Sequence, residues 1–218
     1  MTKTAAPTLS LRSVSHRFGR GPYILKGIDA AFVANGRSTA IHAPSGSGKT
    51  TLLGILGGLI APSTGRVQRS NLDGRGTQTG CAWVFQSTNA FGRRSALENV
   101  AIVAMAAGEP SNAATEAALR GLASVGLSSV AHRPARHLSG GELQRVAIAR
   151  ALVARMPFIL ADEPSGQLDA STTAIVVDAL FETLSSNGRH LIVVTHDTSI
   201  AARCDLVLTL SDGALRGA

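Results

Sequence analysis

The residues best suited to chemistry form one short run, Ser45-Gly46-Ser47-Gly48-Lys49-Thr50-Thr51, which follows the apolar stretch Ser38 to Ala43 and precedes a Leu-rich segment. Strand, glycine loop and helix in that order make a cradle for a polyphosphate. Consecutive backbone N–H groups and the positive end of the helix face the anion, and glycines remove the Cβ atoms that would hold it off. Lys49 is then placed to reach the β and γ phosphates, and the Thr50 hydroxyl to ligate Mg²⁺. The usual pattern G-x-x-x-x-G-K-[ST] has glycine where this chain has Ala43. A methyl group is tolerated there at negative φ and strained at positive φ. Taken alone, the run also suits a plain Gly/Ser turn ahead of a helix.

Other segments bring the partners such a cradle needs. The apolar run Phe158-Ile159-Leu160-Ala161 delivers Asp162-Glu163-Pro164 to the carboxyl edge of a sheet, where open α/β folds bind ligands. Asp162 suits Mg²⁺, and Glu163 suits orienting or deprotonating a water; an acidic helix cap is the alternative. Ser139-Gly140-Gly141-Glu142 has the S-x-x-E spacing of a capping box. Two glycines in a first helical turn each forgo about 1 kcal/mol against alanine, and a capping box has no use for them. Close approach of a bulky anion would use them, with Ser139 and the glycine amides as donors. Leu191 to Val194 leads to Thr195-His196-Asp197, so His196 ends a strand of the same kind; a satisfied core histidine is the alternative. Gln86, after Trp83-Val84-Phe85, can contact Mg²⁺ or the water, and Asp169 closes the loop after Glu163. Either also fits an ordinary polar loop.

The elements that must hold these groups follow from hydrophobic periodicity. Strands are expected at Leu9 to Val14, Ile24 to Val33, Ser38 to Ala43, around Val67 and at Cys81 to Phe85. Helices are expected at Thr50 to Leu59, Ser95 to Ala106 and Ala113 to Val125. From Ser139 the pattern alternates: helix to Ala154, strand Phe158 to Ala161, helix Thr172 to Ser185, strand His190 to Thr195, and a last strand near Leu206 to Leu210. That alternation specifies a parallel sheet. The polar piece Gln68 to Gly80 reads as a surface loop.

Composition sets the outer bounds. A chain of 218 residues, 44 % hydrophobic and 16 % charged, is expected to fold as one α/β-sized globular unit. No apolar stretch approaches the roughly 20 residues of a membrane span, and Met1 to Ser10 lacks the apolar core of a secretory signal, so a cytoplasmic chain is expected. Two cysteines, Cys81 and Cys204, support neither a disulfide framework nor a zinc site. The net charge of +7 suits an anionic ligand or surface. The bases are scattered and do not interleave with aromatics, so no nucleic-acid partner is expected.

In chain order these segments resemble the ATP-binding cassette ATPases, the nucleotide-binding domains of ABC transporters, over nearly the whole sequence. Ser45 to Thr51 resembles the Walker A loop, Gln86 the Q-loop, Leu138 to Glu142 the LSGGE signature, Phe158 to Glu163 Walker B, Ser165 to Asp169 the D-loop, and His196 the H-loop. Phe18, in His16-Arg17-Phe18, resembles the aromatic that stacks on adenine. Gly54 to Leu59 and Ala96 to Val100 are similar to the lipoprotein-releasing, macrolide-export and cell-division group. The resemblance implies an α/β P-loop fold over residues 1–218, with a mostly parallel core sheet, an N-terminal antiparallel β subdomain and an inserted helical subdomain at about 87–134. It implies ATP and Mg²⁺ as cofactors, with Glu163, His196 and Gln86 catalytic and Thr50, Gln86 and Asp162 toward the metal. Phe18, Ser45, Gly46, Ser47, Gly48, Lys49, Thr50, Thr51, Ser139, Gly140, Gly141 and Asp169 would bind nucleotide. It implies a head-to-tail homodimer or heterodimer that closes on ATP, hydrolyses it and powers a separate membrane permease from the cytoplasmic face of the plasma (inner) membrane, in export or extraction of a substrate. A non-transport ATPase that transmits the same motion to a membrane partner shares every one of these residues. A small-molecule P-loop kinase accounts only for Gly46 to Thr51.

Overall fold

The computed structural model describes residues 5–44, 46–72, 79–86 and 89–217. Its strands are β1 (Thr8–His16), β2 (Leu25–Val33), β3 (Ser38–His42), β4 (Thr64–Ser70), β5 (Cys81–Val84), β6 (Phe158–Asp162), β7 (His190–Val194), β8 (Leu206–Ser211) and β9 (Ala214–Gly217). The helices are α1 (Lys49–Leu56), α2 (Ala96–Ala106), α3 (Ser111–Ser124), α4 (Gly140–Val153), α5 (Ala170–Asn187) and α6 (Thr198–Arg203). One antiparallel sheet has the order β2-β1-β4, and a six-stranded sheet has the order β5-β6-β7-β3-β8-β9. In the second sheet every pair is parallel except β8 with β9.

Central strands buried on both faces are near-continuous apolar runs, as in Phe158 to Ala161 of β6 and Leu191 to Val194 of β7, with the polar residues Asp162 and His190 each at one strand end. Their side chains alternate between two cores. Phe158, Leu160, Ile192 and Val194 point toward α1 and the antiparallel sheet; Ile159, Ala161, Leu191 and Val193 point toward α2 to α5. Helices α2 and α3 pack on α4, and the Ala-rich cluster under them is continuous with the second face of the sheet. No helix among the described residues is long and apolar enough to cross a membrane.

Register is what makes the site. Asp162 pairs with Val194 and Val194 with Ile41, so β3, β6 and β7 end at one level. The glycine loop, Glu163 and His196 therefore leave the same sheet edge.

Several sequence expectations shift. The first predicted helix stops at Leu56 instead of Leu59, because Gly58 takes φ +75° and its N–H closes onto Ile55. The stretch read as loop from Gln68 begins as strand: Gln68, Arg69 and Ser70 pair with Ser10, Leu9 and Thr8. Residues 73–78 of that stretch lie outside the described residues. The short α6, capped by Asp197, and β9, turned at Asp212-Gly213, are additional elements.

Candidate functional site

The glycine loop depends on conformations that side chains avoid. Gly46 and Gly48 have φ of +77° and +93°. A Cβ on Gly48 would stand 2.5 Å from Ile24 Cγ2, whereas one on Gly46 would meet nothing within 4 Å. Ala43 has no positive φ and is 3 % exposed in the core, so its methyl is accommodated as packing. Ser47 Oγ is buried without a partner, an unsatisfied polar atom inside the loop. Ser45 lies outside the described residues.

Helix α1 begins at Lys49, with Gly48 as its cap, and carries Lys49 and Thr50 toward the strand edge. Lys49 Nζ donates to Glu163 Oε1 at 2.9 Å. The other carboxylate oxygen, Oε2, lies 2.9 Å from His196 Nδ1 and accepts a longer bond from the His196 N–H at 3.4 Å. Glu163 is 4 % exposed and its backbone has φ +48°, an uncommon value for a residue with a Cβ and before proline. Its N–H, bonded to the Val194 carbonyl, holds that turn. Burial pushes the Glu163 carboxyl up, but the bonds and charge of Lys49 and the bonds of His196 outweigh it and bring it net below the usual range.

Asp162 behaves in the opposite way. Thr50 Oγ1 donates to Oδ2 at 2.8 Å, while Oδ1 is buried with no partner. Burial raises this carboxyl above its ordinary value; the Thr50 hydroxyl and the Lys49 charge offset part of the rise, and the Glu163 charge adds to it. A hydroxyl beside a carboxylate with one unsatisfied oxygen is a donor set that fits Mg²⁺. Such an ion takes one or two protein oxygens and completes its shell with phosphates and water. No cluster of three or more acidic, His or Cys ligands occurs among the described residues, so the chain offers no all-protein metal cage there.

The remaining predicted residues stand apart from this group. Thr51 is buried in α1. Gln86 is exposed just past β5 and makes no hydrogen bond to the described residues of the group. Phe18 is 58 % exposed in the β1–β2 connection. Ser139 caps α4 in a complete capping box: Ser139 Oγ accepts from the Glu142 N–H at 3.2 Å, and the Glu142 carboxylate accepts from the Ser139 N–H at 2.7 Å. A Cβ on Gly140 or Gly141 would come within 3.1 or 3.2 Å of oxygens of Gln167, so the loop after Glu163 already uses the space these glycines leave. Asp169 caps α5; the Ser171 hydroxyl, the Thr172 N–H and the Thr172 hydroxyl hold its carboxyl at about 2.

Sequence reading missed two contributors. Ile24 fills the volume that Gly48 leaves open. Gln144, fully buried on α4, reaches the Phe85 carbonyl at 3.4 Å and the Pro164 carbonyl at 3.5 Å, tying the segments that carry Gln86 and Glu163 to the helix Ser139 opens. A polar residue on the otherwise apolar buried stripe of α4 was the available signal.

Comparison with known proteins finds relatives along nearly the whole chain. The ABC transporter family model matches residues 26–166. The lipoprotein-releasing system ATP-binding protein LolD of Legionella pneumophila is 43 % identical, with 88 % of each chain covered. LolD of Anaeromyxobacter dehalogenans is 41 % identical, with 97 % of this chain and 93 % of the relative covered. The macrolide export ATP-binding/permease protein MacB of Hyphomonas neptunium is 37 % identical across 96 % of this chain, which spans 34 % of MacB. A solved dimeric, post-hydrolysis state of the ATP-binding cassette MJ0796, bound to ADP and Pi, superposes with a TM-score of 0.84 at 32 % identity, covering 95 % of this chain and 96 % of that one. A family match over most of the chain, near-complete relatives above 40 % identity and a common fold together mean that the chain belongs to the ABC transporter family, as an ATP-binding cassette with ATPase activity.

Proposed function

We propose that the chain is the ATP-hydrolysing subunit of a membrane export or extraction complex, bound peripherally to a separate permease at the cytoplasmic face of the inner membrane. One observation carries the catalytic part: Glu163 is held between Lys49 and His196 at the strand edge where the glycine loop also ends. Lys49 passes from Glu163 to the phosphates when ATP enters. Glu163 then loses the ion pair that lowers its pKa while the burial that raises it persists, so it becomes a stronger proton acceptor for the attacking water. His196 keeps hold of Oε2 and fixes the direction of the carboxylate. Thr50 and Asp162 would hold Mg²⁺, which when bound neutralises charge on the phosphates.

Residues 1–218 act as one cassette, with about 87–134 as a helical subdomain. Ser139 and Gly140 are exposed, Gly141 is half-buried, and none of the three bonds to Lys49 or Glu163 of the same chain, which supports a site completed by a second copy. In that arrangement Ser139, Gly140 and Gly141 of one cassette meet the γ-phosphate held by Lys49 of the other, Asp169 belongs to the loop between them, and Gln86 faces the nucleotide water from its own cassette. Phe18 takes the adenine. The LolD and MacB relatives support the permease partner and the direction of transport.

Glu163→Gln tests this. Hydrolysis should fall by about 100-fold or more, the usual worth of a general base, while ATP-dependent dimers accumulate on size-exclusion chromatography. Wild-type turnover in that variant would dismiss Glu163 as the base; a monomer at saturating ATP would dismiss the two-cassette site.

A further inference from the structure

His16 ends β1 at 7 % exposure, and neither ring nitrogen has a hydrogen-bond partner. A buried imidazole without partners gives up the bonds water would supply, so an aliphatic side chain would fill the same place at lower cost. What the ring does meet is Phe18, at a centroid distance of 4.7 Å and an interplanar angle of 83°. In a perpendicular pair the electropositive edge of one ring lies against the electron-rich face of the other, and this fixes orientation as well as contact.

The backbone on both sides of Phe18 is fastened independently. Arg17 N–H donates to Ser63 Oγ at 3.1 Å, and Ser63 Oγ donates back to the Arg17 carbonyl at 3.3 Å. The His16 carbonyl accepts from the Ile24 N–H at 2.8 Å, and Ile24 is the residue seated against Gly48 of the phosphate loop. The chain path past Phe18 is thus tied to the phosphate loop, and the direction of its half-exposed ring remains to be set. His16 is the aromatic ring in contact with it.

We propose that His16 is a positioning residue for the nucleotide base: it holds the Phe18 ring at the angle at which its open side stacks on the purine. This rests on the reading of Phe18 as the base-stacking aromatic. A ring already ordered in the free protein spares the binding step that ordering cost. Aromatic stacking accepts any purine, so GTP shares the effect with ATP. A triphosphate without a base does not.

The test compares ATP with inorganic tripolyphosphate on the full chain. In His16→Leu, Kd and KM for ATP should rise about three- to tenfold, the range of one aromatic pair, with kcat at saturating ATP little changed and tripolyphosphate affinity unaltered. His16→Phe restores an aromatic edge and should return ATP affinity to near wild type. If His16→Leu does not fold, His16→Gln carries the same comparison. Wild-type ATP affinity in these variants beside weakened binding in Phe18→Ala would overturn the role of His16, and so would equal loss of ATP and tripolyphosphate. Unchanged ATP affinity in Phe18→Ala would instead overturn the stacking assignment on which the proposal rests.

Discussion

Replacing Gly48 with alanine separates two reasons for a glycine. At φ +93° an L-residue is strained by roughly 1–2 kcal/mol. The new methyl would also stand 2.5 Å from Ile24 Cγ2 and 3.3 Å from Leu25 Cδ2, where carbons prefer about 3.5–4.0 Å. Ile24 Cγ2 hangs directly on a branched Cβ and cannot swing away without turning the whole side chain, and Leu25 is fully buried. Overpacking of this kind adds about 1–3 kcal/mol. Gly46 is the control. Its φ is +77° but the space around its Cβ is open, so Gly46→Ala carries the strain alone. Urea denaturation should therefore place Gly48→Ala below Gly46→Ala by about 1–3 kcal/mol, with ATP binding weakened more in the former. In a double-mutant cycle, Ile24→Ala should recover about 1 kcal/mol or more of the Gly48→Ala penalty. Equal destabilisation by the two glycine variants, or a cycle that is additive, would refute the claim that Ile24 shapes the phosphate loop.

Thr50→Val keeps the shape of α1 but removes the bond to Asp162, so hydrolysis should drop by roughly tenfold or more at limiting Mg²⁺, the worth of a hydrogen bond to a charged group; an unchanged Mg²⁺ titration would count against the pair as a metal site. Arg189 is 3 % exposed and donates to the carbonyls of Ala151 and Leu152 at the end of α4 and of Met156 just past it, with burial holding its pKa down at about 10. Arg189→Met should cost about 2–4 kcal/mol in chemical denaturation by stranding those carbonyls, and a cost below about 1 would disprove that role. His190 donates from Nδ1 to the Val33 carbonyl at 2.8 Å, so its neutral Nε2 accepts from Thr39 at 3.0 Å, and burial lowers its pKa, partly countered by that carbonyl. The unfolded chain thus takes up the proton first as pH falls: the stability is complete above about 6.5 and is lost as pH drops through the lower folded value. His190→Asn should flatten the stability curve below about pH 6.5, and an unchanged slope would assign the acid sensitivity elsewhere.

Much of the fold was legible because its strands are of two extreme kinds. Phe158 to Ala161 of β6 and Leu191 to Val194 of β7 are continuous apolar runs that a doubly covered sheet explains. β4 was read short because an exposed strand can be polar: Gln68 to Ser70 pair with β1, and Arg69 reaches back to the Leu56 carbonyl at 2.8 Å. Composition cannot distinguish such a strand from a loop. The Asp212-Gly213 pair, with φ of +52° and +79°, was a readable hairpin signal for β9 that the weak apolarity of Ala214 to Gly217 concealed.

The site divides along the same line, between what neighbours in sequence can encode and what only the folded sheet brings together. Glycine spacing before Lys49 and a carboxylate pair after an apolar strand are local, and both could be read from the chain. Which carboxylate does which task was not in the spacing, since Asp162 and Glu163 are adjacent and equally buried. The difference arises across more than 110 positions of chain: Thr50 bonds Asp162, Lys49 bonds Glu163, and only Asp162 keeps a buried oxygen without a partner. The signature glycines show the converse case. Their sequence reading set an outside anion beside a capping box, and Gln167 of the same chain also stands at the space they open. Alanine at Gly141 is therefore disfavoured before any second cassette arrives, because its Cβ would sit 3.2 Å from a backbone carbonyl oxygen. A loss of activity in Gly141→Ala becomes evidence for nucleotide contact only if the isolated chain keeps its stability.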